Sequence, residues 1–182
     1  MQTASEPLFR HVAIIGVGLL GASLGLALRE RRLAAWVTGV GRPGSPSVAI
    51  ALARGAIDGS ASDIVAAMSA GKGPFGATPD LVVLCTPVRE FPVALQAIAP
   101  HISPDLIVTD VGSTKREVMA WARTYLPAEA CFVGSHPMAG SEKRGPEAAR
   151  ASLYEAATCL MCVPHFPQAN IAGERVMKMW EA

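Results

Sequence analysis

Short, almost unbroken apolar runs alternate along the 182-residue chain with longer stretches whose apolar positions recur every three or four residues. The runs are "HVAIIGV" (11–17), "WVTGV" (36–40), "DLVVLCT" (80–86), "LIVTDV" (106–111), "CFVGS" (131–135) and "TCLMCVP" (158–164), all rich in Val, Ile, Leu and Thr. They lack the apolar–polar alternation of a half-solvated strand, as strands of a parallel sheet covered on both faces do. Helices are expected between them, over 19–32, about 46–55, 60–70, 89–99, 115–125 and 146–154. Strand and helix taking turns predicts an α/β fold, a doubly wound and mostly parallel sheet of Rossmann type. Residues 1–10 read as an N-terminal tail, and 11–182 as one domain. The stretch "SAGKGPFGATPD" (69–80) reads as a flexible surface loop. The last segment, "QANIAGERVMKMWEA", looks like a helix that stops, so the chain is expected to be part of something longer.

Composition narrows the classes. Hydrophobic residues make up 51% and charged residues 17%, enough for a buried core, and the net charge of +1 gives no reason to invoke nucleic acid or an acidic membrane surface. The basic run Arg29–Arg32 is interrupted by Glu30 and reads as a solvated helix end. The uncharged stretch Val12–Leu28 approaches the length of a membrane span, but four of its residues are glycines, and no membrane segment is expected. Cys159 and Cys162 form a CxxC without a second pair at zinc spacing, so no metal is expected. These two, with Cys85 and Cys131, read as buried reduced thiols suited to the cytoplasm.

Those glycines carry the first candidate chemistry. Gly16, Gly18 and Gly21 form GxGxxG directly after an apolar strand and at the start of a helix with Leu20, Leu24, Ala27 and Leu28 on one face. In that position the first glycine permits the tight turn, the second lets a pyrophosphate approach, and the third lets helix and strand pack closely. The N–H groups of Leu19 and Leu20 then belong to a helix N-terminus that favours phosphate. Close packing alone, or a methyltransferase-type nucleotide site, would also use such glycines. The second strand ends in Gly41–Arg42, where an NAD-binding protein would offer Asp or Glu to the ribose. A guanidinium there suits a 2′-phosphate, which favours NADP over NAD; stacking of Arg42 on adenine would serve either.

Two further turns stand at carboxyl ends of strands, where ligands bind in open α/β sheets. "DVGSTK" places Gly112 and Ser113 before a helix, with Thr114 and Glu117 at capping-box spacing and Val118, Trp121, Ala122 and Tyr125 as its apolar stripe. "GSHPMAGSEKRG" places His136 just past a strand, in a turn rich in glycine and proline. An imidazole ordinarily titrates near pH 6.5 and can accept a proton; a serine within reach can orient it.

The segments "GVGLLGASL", "RGAID", "CTPV", "TDVGSTK" and "SHPMAGSEKRG", in this order and at these spacings, resemble the prephenate/arogenate dehydrogenase family of tyrosine biosynthesis over nearly all of residues 11–182. "HPMAGSE" after "DVGSTK" is the specific part. The resemblance implies oxidative decarboxylation, with hydride passing to the nicotinamide as carbon dioxide leaves and the ring aromatises. It implies that His136 accepts the hydroxyl proton and Ser113 hydrogen-bonds to it. Thr86 and Pro87 would face the cofactor, and Ser141 and Glu142 would lie near the substrate entrance. "GVGR" looks like the NADP-using members. The family continues into a helical domain that dimerises and grips the substrate carboxylates. A homodimer is thus expected of the full-length protein, and these residues alone are expected to bind NADP and turn over substrate poorly. Other readings are a β-hydroxyacid or imine-type dehydrogenase, which leaves "HPMAGSE" unexplained, and a non-catalytic dinucleotide sensor, which has no need of Ser113 with His136.

Overall fold

A computed structural model describes residues 6–69, 76, 78–163 and 167–182, with the side chains of 167–169 left aside. Most of the expected 69–80 loop lies outside the described residues. The strands are β1 (Val12–Ile15), β2 (Val37–Val40), β3 (Gly59–Ala61), β4 (Leu81–Leu84), β5 (Ile107–Asp110), β6 (Cys131–Pro137) and β7 (Cys159–Cys162). The α-helices are α1 (Leu19–Glu30), α2 (Ser47–Ala53), α3 (Ile64–Met68), α4 (Phe91–Ile98), α5 (Lys115–Tyr125) and α6 (Pro167–Glu181). The sheet order is β3-β2-β1-β4-β5-β6-β7, a doubly wound arrangement that reverses direction beside β1. All neighbours are parallel except β6 and β7.

The apolar runs are continuous because each central strand feeds two cores. Val12 and Ile14 of β1, with Leu81 and Val83 of β4, pack against α1, α2 and α6 through Leu24, Leu28, Ala51 and Val176. Ala13 and Ile15, with Val82 and Leu84, face α3, α4 and α5 through Met68, Phe91, Leu95 and Val118. Side chains of a strand alternate between faces, so burial on both sides removes any polar alternation.

Three expectations change. The helix expected over 60–70 is split: β3 takes Gly59–Ala61, and α3 begins after Asp63, whose carboxylate caps it by accepting from Ala66 N at 2.8 Å. The helix expected over 146–154 is a pair of short 3-10 turns. Its backbone groups are claimed from outside: Arg54 takes the carbonyls of Glu147 and Ala149, and the Ser23 hydroxyl accepts from Arg150 N. A continuous i→i−4 ladder would need those groups. Finally, the expected tail packs from Phe9 onward; Phe9 is fully buried and bridges Ala34 beside β2.

Candidate active site

The glycine turn joins β1 to α1. Gly16 has φ +101°, and a Cβ there would lie 2.8 Å from the backbone of Cys85 and Thr86 at the end of β4. A Cβ on Gly21 would lie 2.0 Å from the Gly16 carbonyl oxygen. Packing therefore explains these two. It does not explain Gly18, where a Cβ would meet nothing within 4 Å. Gly18 occupies the N-cap of α1 without a side-chain cap, and no acidic residue stands in the first turn. The N–H groups of Leu19, Leu20 and Gly21 thus begin a helix whose positive end is left uncompensated.

That helix end opens on a cavity of about 440 Å³. Gly16, Gly18, Gly41, Arg42, Thr86 and Pro87 line it together, so six of the ten cofactor candidates meet in one space. Ser45, Ser47, Ser62 and Asp63 complete its polar side. Arg42 is exposed at its rim, in a turn closed by Ser45 N donating to Arg42 O at 3.1 Å. The Thr86 hydroxyl is buried and has no hydrogen-bond partner among the described residues, which is costly unless a ligand supplies one. A bare helix N-terminus, a glycine open to space, a rim guanidinium and an orphaned hydroxyl form a donor set that fits a dinucleotide. A larger cavity of about 710 Å³ involves Leu24, Met161, Met179 and Trp180; Arg31 within it is paired with Glu155 at 2.7 Å, and no glycine of the turn reaches it.

Leu19, Leu20 and Gly21 form the first turn of α1, while Gly112, Ser113, His136, Ser141 and Glu142 sit at or past the carboxyl ends of β5 and β6, all outside that cavity's lining. Gly112 is buried, and a Cβ there would approach Val88 Cγ2 to 2.9 Å. Ser113 is exposed. His136 was expected in a turn past its strand, but β6 runs on through Pro137 and His136 pairs with Leu160 of β7. Pairing of β6 with β5 ends at Val133, so β7 alone carries the overhanging residues and holds His136 beyond the end of β5. The backbone of the half-buried His136 is thus held by a strand and not by a loop. No hydrogen bond joins Ser113 to His136 among the described residues. Ser141 and Glu142 are exposed; the Ser141 hydroxyl donates to Glu142 Oε2 at 3.2 Å and accepts from Lys143 N at 3.2 Å.

A buried ion pair that the sequence reading missed braces this edge. Asp110, fully buried at the end of β5, accepts from Gly112 N at 2.8 Å, from Ser135 N at 3.1 Å and from the Lys115 ammonium. Lys115 also donates to Ser135 O at 2.6 Å. Burial pushes the Asp110 carboxyl above its ordinary range, with the Lys115 charge and the backbone donors pulling it back. Burial likewise lowers Lys115, against the pull of Asp110. A lysine in the first turn of α5 opposes the helix dipole, and the Asp110 contact accounts for it. The same network sets the 110–114 turn: Thr114 occupies the N-cap at ψ 83°, and its hydroxyl makes no capping bond, unlike the expected capping box. The available signal was an aspartate ending an apolar strand with a lysine five residues on.

The thiols are free. Cys131 is buried as expected, whereas Cys85, Cys159 and Cys162 are half-buried. Burial pushes the Cys159 thiol up to about 11. Among the described residues no helix is long and apolar enough to cross a membrane.

Residues 24–181 match the family model described as the nucleotide-binding domain of prephenate dehydrogenase. Prephenate dehydrogenase of Bacillus subtilis is 37% identical over 145 residues, 79% of this chain and 37% of that protein. Cyclohexadienyl dehydrogenase of Zymomonas mobilis is 32% identical over 159 residues, 81% of this chain and 47% of that protein. The chain thus spans less than half the length of these relatives. Among solved structures, prephenate dehydrogenase from Aquifex aeolicus in complex with hydroxyphenyl propionate and NAD+ superimposes with a TM-score of 0.78 at 27% identity, over 100% of this chain and 58% of that one.

Proposed function

The chain belongs to the prephenate dehydrogenase nucleotide-binding-domain family, and from that premise we propose that it is the NADP-binding domain of an enzyme that oxidatively decarboxylates prephenate to 4-hydroxyphenylpyruvate in tyrosine biosynthesis. The observation that carries this reading is the pairing of His136 into β6 past the end of β5, at the same carboxyl edge of the sheet where Ser113 follows β5 and the glycine turn follows β1. When bound, the nicotinamide supplies the hydride acceptor. Gly18, Leu19 and Leu20 offer N–H groups to the pyrophosphate, and Thr86 its hydroxyl to the nicotinamide end. Arg42 pairs with the 2′-phosphate. His136 takes the proton from the ring hydroxyl, and Ser113 meets that hydrogen bond once substrate draws the two together. Ser141 and Glu142 line the substrate side. In the full-length protein a helical domain completes the carboxylate contacts and forms a homodimer.

Arogenate is the second reading, because a solved structure of Synechocystis arogenate dehydrogenase superimposes with a TM-score of 0.76 at 28% identity, over 93% of this chain and 57% of that one. The two substrates differ only by a keto or amino group on the side chain.

The test is His136→Ala in the catalytically active protein. Prephenate turnover should fall about a thousandfold, the scale of a lost general base, while NADP affinity is retained. Turnover within a few-fold of wild type would remove His136 from the chemistry and leave only the nucleotide reading.

A further inference from the structure

The turn "RGAID" (54–58) contributes nothing to the walls of the nucleotide cavity. Asp58 pairs with Arg29 at 2.9 Å and accepts from Val37 N at 2.8 Å, which ties α1 to β2. Arg54 does something else. At the C-terminal end of α2, its two terminal nitrogens donate to Glu147 O at 2.9 Å and Ala149 O at 2.7 Å. Both acceptors are main-chain carbonyls, 93 and 95 residues along the chain. The contact therefore fixes backbone position and makes no use of a partner side chain.

Those carbonyls lie just past the loop that carries Ser141 and Glu142. At its near end the loop is pinned by Met138 N donating to Thr158 O at 2.8 Å. Its far end is pinned to α1 by Arg150 N on the Ser23 hydroxyl at 3.1 Å and by the Tyr154 hydroxyl on Leu20 O at 2.8 Å. Between the pins, Ser141–Arg144 are exposed, and the side-chain hydrogen bonds of Ser141 and Glu142 among the described residues stay within residues 141–143. Placement of the loop is thus set by its ends, and Arg54 holds the far end to a helix whose first residue, Ser47, lines the nucleotide cavity.

We propose that Arg54 is a positioning residue for the substrate-side loop 138–145, clasping its far end to α2 through two backbone carbonyls. This rests on the reading of Ser141 and Glu142 given above. An exposed arginine paired with one carboxylate contributes little. A forked, charge-assisted contact to two carbonyls that lie outside any helix ladder holds geometry better.

The experiment measures amide hydrogen exchange across 138–150 and NADP+ affinity in wild type, Arg54→Met and Arg54→Lys. Arg54→Met should speed exchange at Ala148, Ala149 and Arg150 by about tenfold, as local opening without its charged bonds predicts. Exchange in β1 and β4 and the affinity for NADP+ should stay at wild-type values. Arg54→Lys, with the charge but a single donor centre, should fall between. In the catalytically active protein Arg54→Met should raise KM for prephenate about tenfold with little change in kcat, the signature of a displaced binding group. Unchanged exchange with NADP+ still bound overturns the proposal alone, as does faster exchange throughout the sheet, which would mark a general folding role. Wild-type protein that binds neither NADP+ nor NAD+ overturns the reading beneath it, and the proposal with it.

Discussion

The nucleotide cavity is walled by glycines, small hydroxyls and free helix N–H groups, whereas the edge bearing Ser113 and His136 is braced by the buried Asp110–Lys115 pair. The first region works through what is left out: Gly18 fills no space, and the α1 N-terminus has no cap. The second works through what is put in, a charge pair that joins β5, α5 and β6. A phosphate site needs room and unspent donors. The proton transfer proposed for His136 needs a fixed backbone, and the overhang of β6, paired to β7, holds it.

The largest expected effect falls on the braced side. Asp110→Ala leaves the Lys115 ammonium and two backbone N–H groups without their acceptor, and breaking a buried pair costs about 3–5 kcal/mol. Urea unfolding should show a loss of that size, and replacing both partners with apolar residues should recover the share due to the stranded Lys115 charge, with the Gly112 and Ser135 N–H groups still unpaired. A loss under about 1 kcal/mol, the scale of an exposed pair, would mean that the pair does not brace the edge.

The glycine side divides more finely. Gly21→Ala drives a methyl against the Gly16 carbonyl oxygen, 2.0 Å away, an overpacking worth about 1–3 kcal/mol. Gly18→Ala meets nothing and should leave stability within about 0.5 kcal/mol. It should still weaken dinucleotide binding, because the added methyl enters the cavity. Equal stability losses at the two positions would erase the distinction between packing glycine and ligand glycine.

The smallest effect concerns Cys159, beside the backbone N–H of His136. Only the thiolate reacts with iodoacetamide, and burial lifts this thiol to about 11. Its alkylation, followed by peptide mass spectrometry, should be slow at pH 8 and still rising above pH 9. A rate that levels off by pH 9 would mean an ordinary thiol there.

The comparison also explains what could be read from the chain. The glycine turn is a local pattern: strand, GxGxxG and helix occupy the contiguous stretch Val12–Glu30, and Gly41–Arg42 follows at a fixed distance, so the cavity wall was legible. The continuous apolar runs likewise gave the two-faced parallel sheet, because burial on both sides leaves a mark in each strand separately. What escaped depends on distant partners. Asp110 meets Ser135 across 25 residues, and Arg54 meets Ala149 across 95. The 146–154 segment looked helical because its own composition allows a helix, and only the claims of Arg54 and Ser23 on its backbone divert it. β3 was hidden by its length of three residues, and His136 was assigned to a turn because its partner in β7, Leu160, lies 24 residues further on.

The central claim is that the cavity at the glycine turn binds a dinucleotide whose 2′-phosphate Arg42 reads. Calorimetric titration of this chain with NADP+ and NAD+, in wild type and Arg42→Ala, tests it most directly. The account predicts tighter binding of NADP+, and a preference lost by about tenfold or more when the bidentate guanidinium is removed. Equal or tighter binding of NAD+ by wild type would contradict the role given to Arg42, and binding of neither would contradict the account of the cavity itself.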